Sequence, residues 1–105
     1  MKFRYETQLQ ERVAKEVKNK YKTDVWFYHP RETKQKGILD CFICLRGLFI
    51  VGELKRDLRE NSATPLQKYN MMCIRRAGGE TFEADTIEGF MIELERIAIK
   101  HGILL

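Results

Sequence analysis

The sequence predicts an α/β fold: a single mixed four-stranded sheet flanked by helices, in the order α-β-β-β-α-β-α. Two segments near the ends of the chain repeat apolar residues at helical spacing, and two apolar runs in the middle are joined by Arg46 and Gly47. A third observation is Thr64 followed by Pro65, a pair typical of the start of a helix. Helical periodicity around a set of β-rich runs predicts one sheet packed against helices.

The length and composition favour one globular domain. We expect the 105 residues to form a single domain, residues 1–105, because a chain of this length supports one hydrophobic core. A hydrophobic content of 44% with 32% charged residues is typical of an ordered protein. No apolar run is long enough to span a bilayer, and the N-terminal segment lacks the apolar middle of a signal peptide. We therefore expect no membrane association and a cytoplasmic location.

Three cysteines, Cys41, Cys44 and Cys73, are consistent with a reducing compartment. Cys41 and Cys44 have the spacing of some zinc and redox sites, but an offset of three along a strand points the two side chains to opposite faces. We therefore expect all three thiols to be buried and to pack as small hydrophobic side chains.

The first half of the chain predicts one helix and three strands. Residues 4–21 carry apolar side chains every four positions, which predicts an amphipathic helix; the repeated positions are Tyr5, Leu9, Val13, Val17 and Tyr21. Residues 24–29 are rich in aromatic and β-branched types and predict a strand that ends before Pro30. Strands are also predicted over residues 38–46 and 48–55, and the second of these is apolar enough to lie inside the sheet.

A capping-box pattern predicts the second helix. Thr64 suits the N-cap, Pro65 suits the first helical position, and Gln67 suits the third. The helix should end at Gly78 and Gly79, because glycine readily adopts the positive φ that is common just after a helix.

The remaining residues predict a strand over residues 80–84 and a helix over residues 86–100, followed by Gly102. The helix has an apolar stripe suited to packing on a sheet; its members are Ile87, Phe90, Met91, Leu94, Ile97 and Ala98. This helix completes the predicted order of elements.

Three charged residues stand in the apolar centre of the chain. Asp40 begins one predicted strand, and Glu53 and Lys55 lie two residues apart near the end of the next. Side chains two apart share a face of a strand, and antiparallel pairing would bring Asp40 close to Glu53. Two carboxylates held together need a cation between them, and Mg²⁺ or Mn²⁺ prefers such oxygen ligands. Lys55 beside such an ion could hold a water or stabilise negative charge on a phosphate.

An ordinary ion pair is the alternative explanation of these charges. Glu53 and Lys55 could pair at a strand edge, while Asp40 caps the turn after Gly37. Because Glu-x-Lys is a common pattern on strands, these residues by themselves leave both interpretations open.

A wider pattern favours the metal site. The segment "GILD", which ends at Asp40, is followed by "ELK" at residues 53–55, and the two together resemble the PD-(D/E)xK nuclease signature. With Glu6 in the first helix and Gln67 at the start of the second, the order resembles the virus-type replication-repair nuclease (VRR-NUC) group over about residues 5–85. Leu39 stands where the family pattern has proline, a residue that shapes the chain and carries no chemistry.

The resemblance implies a restriction-endonuclease-like fold and a metal-dependent DNA endonuclease, which is a phosphodiester hydrolase. It makes Asp40 and Glu53 the ligands of Mg²⁺ or Mn²⁺, with help from the carbonyl of Leu54. It gives Lys55 the role of positioning or activating the attacking water. Hydrolysis would then proceed by in-line attack of a metal-activated water.

The resemblance also places Glu6 and Gln67 in the catalytic site, and each has an alternative explanation. At about 100° per residue, Glu6 falls inside the apolar stripe of the first helix, where a carboxylate needs a partner, whereas Glu11 points away from it. Glu6 could instead be an exposed first-turn acid favoured by the helix dipole. Gln67 is explained equally well by the capping box.

Positive charge in one loop predicts a DNA-binding surface. The formal net charge of +4 permits a polyanionic partner. Arg31, Lys34 and Lys36, in the loop before Gly37, are candidates for contacts with the DNA backbone, which give affinity without reading sequence. His29, beside this loop, could contact a phosphate or cap the turn.

We therefore expect a metal-dependent endonuclease that acts on structured or branched DNA, such as a Holliday junction or a flap, in replication, repair or recombination. The rival interpretation is a non-catalytic DNA-binding or assembly module that retains the nuclease fold. A third is a protein-interaction domain whose charges form only surface pairs. Small size and analogy with junction-resolving enzymes predict a homodimer, with an interface on the last helix or on the tail Ile103, Leu104 and Leu105.

Overall fold

The computed structural model describes residues 2–30, 41–55 and 63–103, with side chains described from residue 8 onward. The elements are α1 (Lys2–Tyr21), a 3₁₀ turn (Lys22–Asp24), β1 (Val25–Tyr28), β2 (Cys41–Leu45), β3 (Leu48–Leu54), α2 (Pro65–Arg76), β4 (Glu80–Ala84) and α3 (Ile87–Lys100). The predicted order of helices and strands is confirmed. Strand β4 has the predicted boundaries, and α3 begins one residue later than predicted because Thr86 is its N-cap. Within the described ranges, no helix is both long and apolar enough to cross a membrane.

The four strands form one mixed sheet in the order β1-β2-β3-β4. Strands β1, β2 and β3 pair antiparallel, and β4 pairs parallel to β3. The predicted position of β3 inside the sheet is therefore confirmed. Arg46 and Gly47 form the turn between β2 and β3 with φ values of 50° and 89°. Two residues with positive φ are typical of the tightest hairpin turn, and Arg46 also pairs with Asp24 across 3.0 Å.

The two faces of the sheet are covered differently. Helices α1 and α3 pack on one face and form the main core, whose fully buried members include Val13, Val17, Ile43, Ile50, Phe90 and Leu94. Helix α2 lies over the other face, where Met71 packs with Val51 and Ala63, and Phe42 and Ile74 contact this smaller cluster. The predicted stripes of α1 and α3 thus face one side of the sheet, and α2 faces the side to which β3 points Val51.

The start and end of α2 follow the predicted signals. Thr64 accepts a hydrogen bond from the backbone N–H of Gln67, and Gln67 in return accepts one from the N–H of Thr64. Beyond the last helical residue, Gly78 adopts a φ of 100°. Since L side chains rarely adopt that conformation, glycine is required where the chain turns towards β4.

The predicted burial of the three cysteines is confirmed only at Cys41. Cys41 is fully buried, as predicted, whereas Cys44 lies on the opposite face of β2, also as predicted, but is only half-buried. Cys73 is exposed, so the prediction that all three thiols are buried is wrong. Cys73 lies on α2, which buries only Met71 fully and leaves most of its surface to solvent. A helix that packs by a narrow stripe can carry a small apolar residue outside it.

One contact ties β4 to the end of α3. Glu80 accepts a hydrogen bond from Lys100 at 2.9 Å and lies 2.7 Å from Nε2 of His101. The hydrogen bond with His101, and then that with Lys100, lowers the pKa of the Glu80 carboxyl from its ordinary value. His101 therefore has a structural partner at the end of its helix.

Gly52 allows close packing next to the charged end of β3. A Cβ at this position would lie 2.8 Å from Cε2 of Phe90 and 2.9 Å from Cζ of Phe82. Both rings are buried and pack edge to face, with centroids 4.8 Å apart. Gly52 therefore lets two aromatic rings approach the backbone of β3 immediately before Glu53.

Gly52→Ala should destabilise the protein by about 1–3 kcal/mol, because the added methyl group overpacks a core with no room for it. The measurement is the free energy of unfolding in urea. Phe82→Leu and Phe90→Leu backgrounds serve as controls, since each removes one of the two rings that the methyl group would meet and should reduce the cost. Additive costs in both double variants would contradict this explanation.

Candidate active site

A buried carboxylate marks the end of β3. Phe49, Val51 and Glu53 alternate along the strand and point to the face covered by α2. Glu53 is only 1% exposed, and it is the buried charged side chain of the described part of the chain. A carboxylate removed from water is tolerated when cations and hydrogen-bond donors lie beside it.

Lys55 supplies one of these partners. Its Nζ lies 3.3 Å from Oε1 of Glu53, and the Lys55 side chain is 17% exposed. The ion pair that the sequence allowed is present, but β3 is an interior strand and Glu53 is buried. The pair is therefore not an exposed one, and its presence by itself leaves both interpretations of these charges open.

Gln67 supplies the second partner and joins α2 to the sheet. Its Nε2 donates to Oε1 of Glu53 at 3.2 Å, and its Oε1 accepts from Nζ of Lys55 at 3.2 Å. The same Oε1 accepts the backbone N–H of Thr64 at 3.0 Å. The cap and the site contact, which the sequence left as alternatives, are made by one side chain at the same time.

The three side chains form a compact group, which we call the Glu53 cluster: Glu53, Lys55 and Gln67. Each pair within it is in contact at 3.2–3.3 Å. The members come from the end of β3, the residue after it, and the first turn of α2. Two elements distant in sequence thus converge on a single carboxylate oxygen.

The direction of the Leu54 carbonyl follows from the hydrogen bond of the next residue. Lys55 donates its backbone N–H to the carbonyl of Ala84 on β4 at 2.9 Å. In a trans peptide the N–H and C=O groups point in opposite directions, and the described backbone contains no cis bond. The Leu54 carbonyl therefore points away from β4, towards the side of β3 on which β2 lies.

Comparison with known proteins identifies the fold. No protein-family model matches the sequence, and no curated protein is similar to it in sequence. A solved structure described as "VRR_NUC domain" is similar to this structure, with a TM-score of 0.58 and 20% sequence identity, covering 88% of this chain and 95% of that one. The chain has the VRR_NUC fold. The resemblance stated from the sequence, including its four-stranded sheet flanked by helices, is confirmed at the level of the fold.

Several predicted site residues lie outside the part of the VRR_NUC fold that the structure describes. These are Asp40, the loop cations Arg31, Lys34 and Lys36, and the side chain of Glu6. Cys41, the residue after Asp40 in sequence, pairs with Gly52, the residue before Glu53. Among the described residues, no three His, Cys, Asp or Glu side chains form a group able to hold a metal ion. Glu11 is exposed, as expected from its angle on α1.

Glu83 is a neighbour of the Glu53 cluster that sequence reasoning missed. It pairs directly with Glu53 in the parallel register of β3 and β4, so both side chains point to the face of α2. Its Oε1 accepts the backbone N–H of Ala63 at 2.7 Å, one residue before the N-cap of α2. The predicted order β3-α2-β4 is the signal that could have indicated Glu83. When a helix connects two parallel strands, the carboxyl ends of the strands meet at one edge of the sheet.

Glu83 therefore fixes the entry into α2. A carboxylate near a helix N-terminus is also favoured by the positive end of the helix dipole. Since Gln67 lies in the first turn of this helix, Glu83 holds the segment that carries the amide to Glu53.

Lys55→Met should destabilise the protein by about 2–3 kcal/mol in the presence of a chelator, because the Glu53 carboxylate stays buried without its cation. Lys55→Met combined with Glu53→Gln should recover most of this loss. The measurement is urea unfolding at neutral pH. Lys68→Met, at an exposed position on α2, is the control and should have little effect. Equal costs of Lys55→Met with and without Glu53→Gln would contradict the buried pair.

Glu83→Ala should cost about 1 kcal/mol more than Glu83→Gln, because both remove the charge but only glutamine keeps an acceptor for the Ala63 N–H. The same unfolding measurement compares the two variants. Glu93→Ala, which removes a surface pair with Arg96 on α3, is a matched control expected to change stability by less than about 1 kcal/mol. Equal stabilities of Glu83→Ala and Glu83→Gln would show that the hydrogen bond does not hold α2.

Proposed function

We propose that this protein is a DNA endonuclease that hydrolyses phosphodiester bonds with a bound Mg²⁺ or Mn²⁺. The observation that carries the proposal is the Glu53 cluster: a carboxylate with 1% exposure held by a lysine and an amide at the end of an interior strand. The similarity to a structure described as "VRR_NUC domain" supports the same class of activity.

The donor set fits a hard divalent cation. The Glu53 carboxylate and the Leu54 carbonyl are oxygen donors at the end of one strand, and Mg²⁺ and Mn²⁺ prefer oxygen ligands completed by water. The cysteines lie apart from these donors: Cys41 is buried in the main core, Cys73 is exposed on α2, and Cys44 pairs with Phe49, four residues from Glu53 along β3. We assign Asp40 as the second carboxylate ligand, on the strength of the pairing of Cys41 with Gly52.

The chain's own residues have distinct roles in the proposed reaction. A bound Mg²⁺ or Mn²⁺ would polarise the phosphate and lower the pKa of a bound water. Lys55 would hold the attacking water or stabilise negative charge that develops on the phosphate. Gln67 fixes the positions of both Glu53 and Lys55, since it hydrogen-bonds to each. Glu6 is proposed to complete the site from α1.

DNA is the proposed partner, and branched DNA, such as a junction or a flap, is the proposed substrate. The formal net charge of +4 favours binding to a polyanion. Arg31, Lys34 and Lys36 are assigned to the DNA backbone, which would position the duplex without reading its sequence. A chain of 105 residues covers few base pairs, so we propose a homodimer that places two sites on a junction or flap. Sedimentation at micromolar concentration measures this state directly.

Cleavage of labelled duplex, flap and four-way-junction DNA tests the activity. The wild type should cleave with Mg²⁺ or Mn²⁺ and should stop when a chelator is added. Asp40→Asn and Glu53→Gln should each lower the rate by at least about 100-fold, because each removes charge that organises the reacting groups. Glu11→Gln, at an exposed position on α1, should leave the rate unchanged. Gln67→Glu keeps the helix cap but adds a charge beside Glu53, and should also lower the rate.

Metal binding has a readout independent of cleavage. Mn²⁺ should raise the midpoint of thermal unfolding of the wild type, because a ligand that binds the folded state stabilises it. Glu53→Gln should abolish this rise. Metal-dependent cleavage that persists in folded Asp40→Asn and Glu53→Gln proteins would overturn the proposed site. DNA binding without cleavage under any metal condition would favour the non-catalytic DNA-binding module instead.

A further inference from the structure

Four aromatic side chains lie on the same face of the sheet as Glu53. Trp26, Tyr28 and Phe49 are 59%, 49% and 45% exposed, respectively, and Phe42 is half-buried. They come from β1, β2 and β3. Large exposed apolar side chains gathered on one surface are unusual for a monomer and mark a binding surface.

The four rings form a continuous row, which we call the aromatic ladder. Trp26 stacks on Tyr28 with centroids 5.8 Å apart, Tyr28 on Phe42 at 6.4 Å, and Phe42 on Phe49 at 6.3 Å. The interplanar angles are 20°, 11° and 14°. Ring follows ring in nearly the same orientation across three strands.

The two terminal rings of the ladder, Trp26 and Phe49, are accessible to a ligand. Tyr28 and Phe42 each stack on two neighbours, whereas Trp26 and Phe49 each stack on one. Among the described residues, neither of these two rings has a second aromatic neighbour, and both are exposed, Trp26 by 59% and Phe49 by 45%. A flat π-system, such as a nucleobase, can extend the row at either end.

The ladder is continuous with the Glu53 cluster. Tyr28 pairs with Phe42, and Phe42 pairs with Val51, so these three side chains form one row across the sheet. Glu53 lies two residues beyond Val51 on β3, which is about 7 Å along the strand. Trp26 and Phe49 lie in the next row, on either side of Cys44, about 13 Å from Glu53 along the strand direction. A DNA strand with its phosphate at the Glu53 cluster therefore meets Phe42 and Tyr28 first, and Trp26 and Phe49 with nucleotides further along.

The charges of this surface permit a nucleic-acid strand. Neither β1 nor β2 contains a charged residue, so no carboxylate projects from these two strands towards a phosphate. Lys55 lies at the Glu53 end, and Arg46 is exposed in the turn beside the opposite end. The ladder thus lies between two cationic side chains, each paired with a carboxylate: Lys55 with Glu53 and Arg46 with Asp24. Aromatic platforms beside cationic side chains are typical of surfaces that bind single-stranded nucleic acid.

We propose that the aromatic ladder binds unpaired bases of the DNA strand whose phosphodiester is held at the Glu53 cluster. This inference rests on the proposed function and narrows its substrate class to DNA with a single-stranded segment. In a duplex each base is already stacked on its neighbours, so its faces cannot reach Trp26 or Phe49. Only an unpaired or terminal base can stack on these rings.

Trp26 is the chain's single tryptophan and reports the contact directly. With a chelator present, so that no cleavage occurs, an oligo(dT) single strand should quench Trp26 fluorescence, and a blunt duplex of equal length should quench it much less. Trp26→Leu and Phe49→Leu should each weaken binding of a labelled single strand by about 5-fold or more, because leucine keeps the apolar character but removes the ring. Tyr69→Leu is the matched control, since Tyr69 is 57% exposed on α2 and is not part of the ladder.

The outcomes separate this inference from the proposed function. Unchanged single-strand affinity in both ladder variants, with Glu53→Gln still abolishing cleavage, would overturn the ladder and leave the nuclease proposal standing. Loss of single-strand affinity in the ladder variants, without cleavage by the wild type, would support the ladder and overturn the nuclease. If Trp26→Leu and Phe49→Leu instead dissociate a dimer in sedimentation and leave single-strand affinity unchanged, the ladder is an interface between copies of the chain. Circular dichroism of each variant checks that it is folded.

Discussion

The buried carboxylate of Glu53 is the constraint on which this end of the sheet depends. Removing a carboxylate from water costs several kcal/mol. This cost is offset only if a cation and hydrogen-bond donors contact the carboxylate in good geometry. Lys55 supplies the charge at 3.3 Å and Gln67 the hydrogen bond at 3.2 Å. These partners come from different elements, because Lys55 follows β3 and Gln67 lies in α2. The docking of α2 at this position is therefore coupled to the charge state of β3. Because apolar residues can often replace a buried ion pair without loss of stability, the presence of Glu53 and Lys55 here favours a role beyond stability.

The start of α2 shows how one local signal can position a site. Thr64 and Gln67 exchange two hydrogen bonds that define the first turn of the helix, and Glu83 holds the residue before it. Helix capping thus holds the Gln67 side chain in the position from which its amide contacts Glu53. A capping box leaves its N3 side chain close to the helix axis, where it can contact whatever lies in front of the N-terminus. In this protein the end of β3 lies there, so cap formation and site formation are one event.

Much of the fold and part of the site follow from the sequence. The helical stripes, the Arg46 and Gly47 turn and the capping box are local patterns, and local patterns fix element boundaries closely. The pairing of Glu53 with Lys55 was foreseen because side chains two apart share a face of a strand. The burial of Glu53 does not follow from the sequence, since it depends on α2 covering that face. The exposure of Cys73 was missed for the same reason: helical periodicity shows which residues are apolar, but not how wide a stripe the partner surface covers. Glu83 required the register between β3 and β4, which no local pattern specifies.

The unequal cover of the two sheet faces links the site to its proposed substrate. Helices α1 and α3 cover one face and form the main core with it, whereas on the other face α2 packs against Val51, and Phe42 is only partly buried there. The same helix that brings Gln67 to Glu53 therefore leaves the rings of β1 in solvent, with Trp26 59% exposed. A wider or longer α2 would bury the aromatic ladder and add to the core. Leaving it open costs stability, and that cost is offset if a ligand stacks on the rings. On this argument, selection between paired and unpaired DNA would come from the sheet beside the Glu53 cluster. The cations of the preceding loop would supply affinity for any DNA, because phosphate contacts carry no information about base pairing.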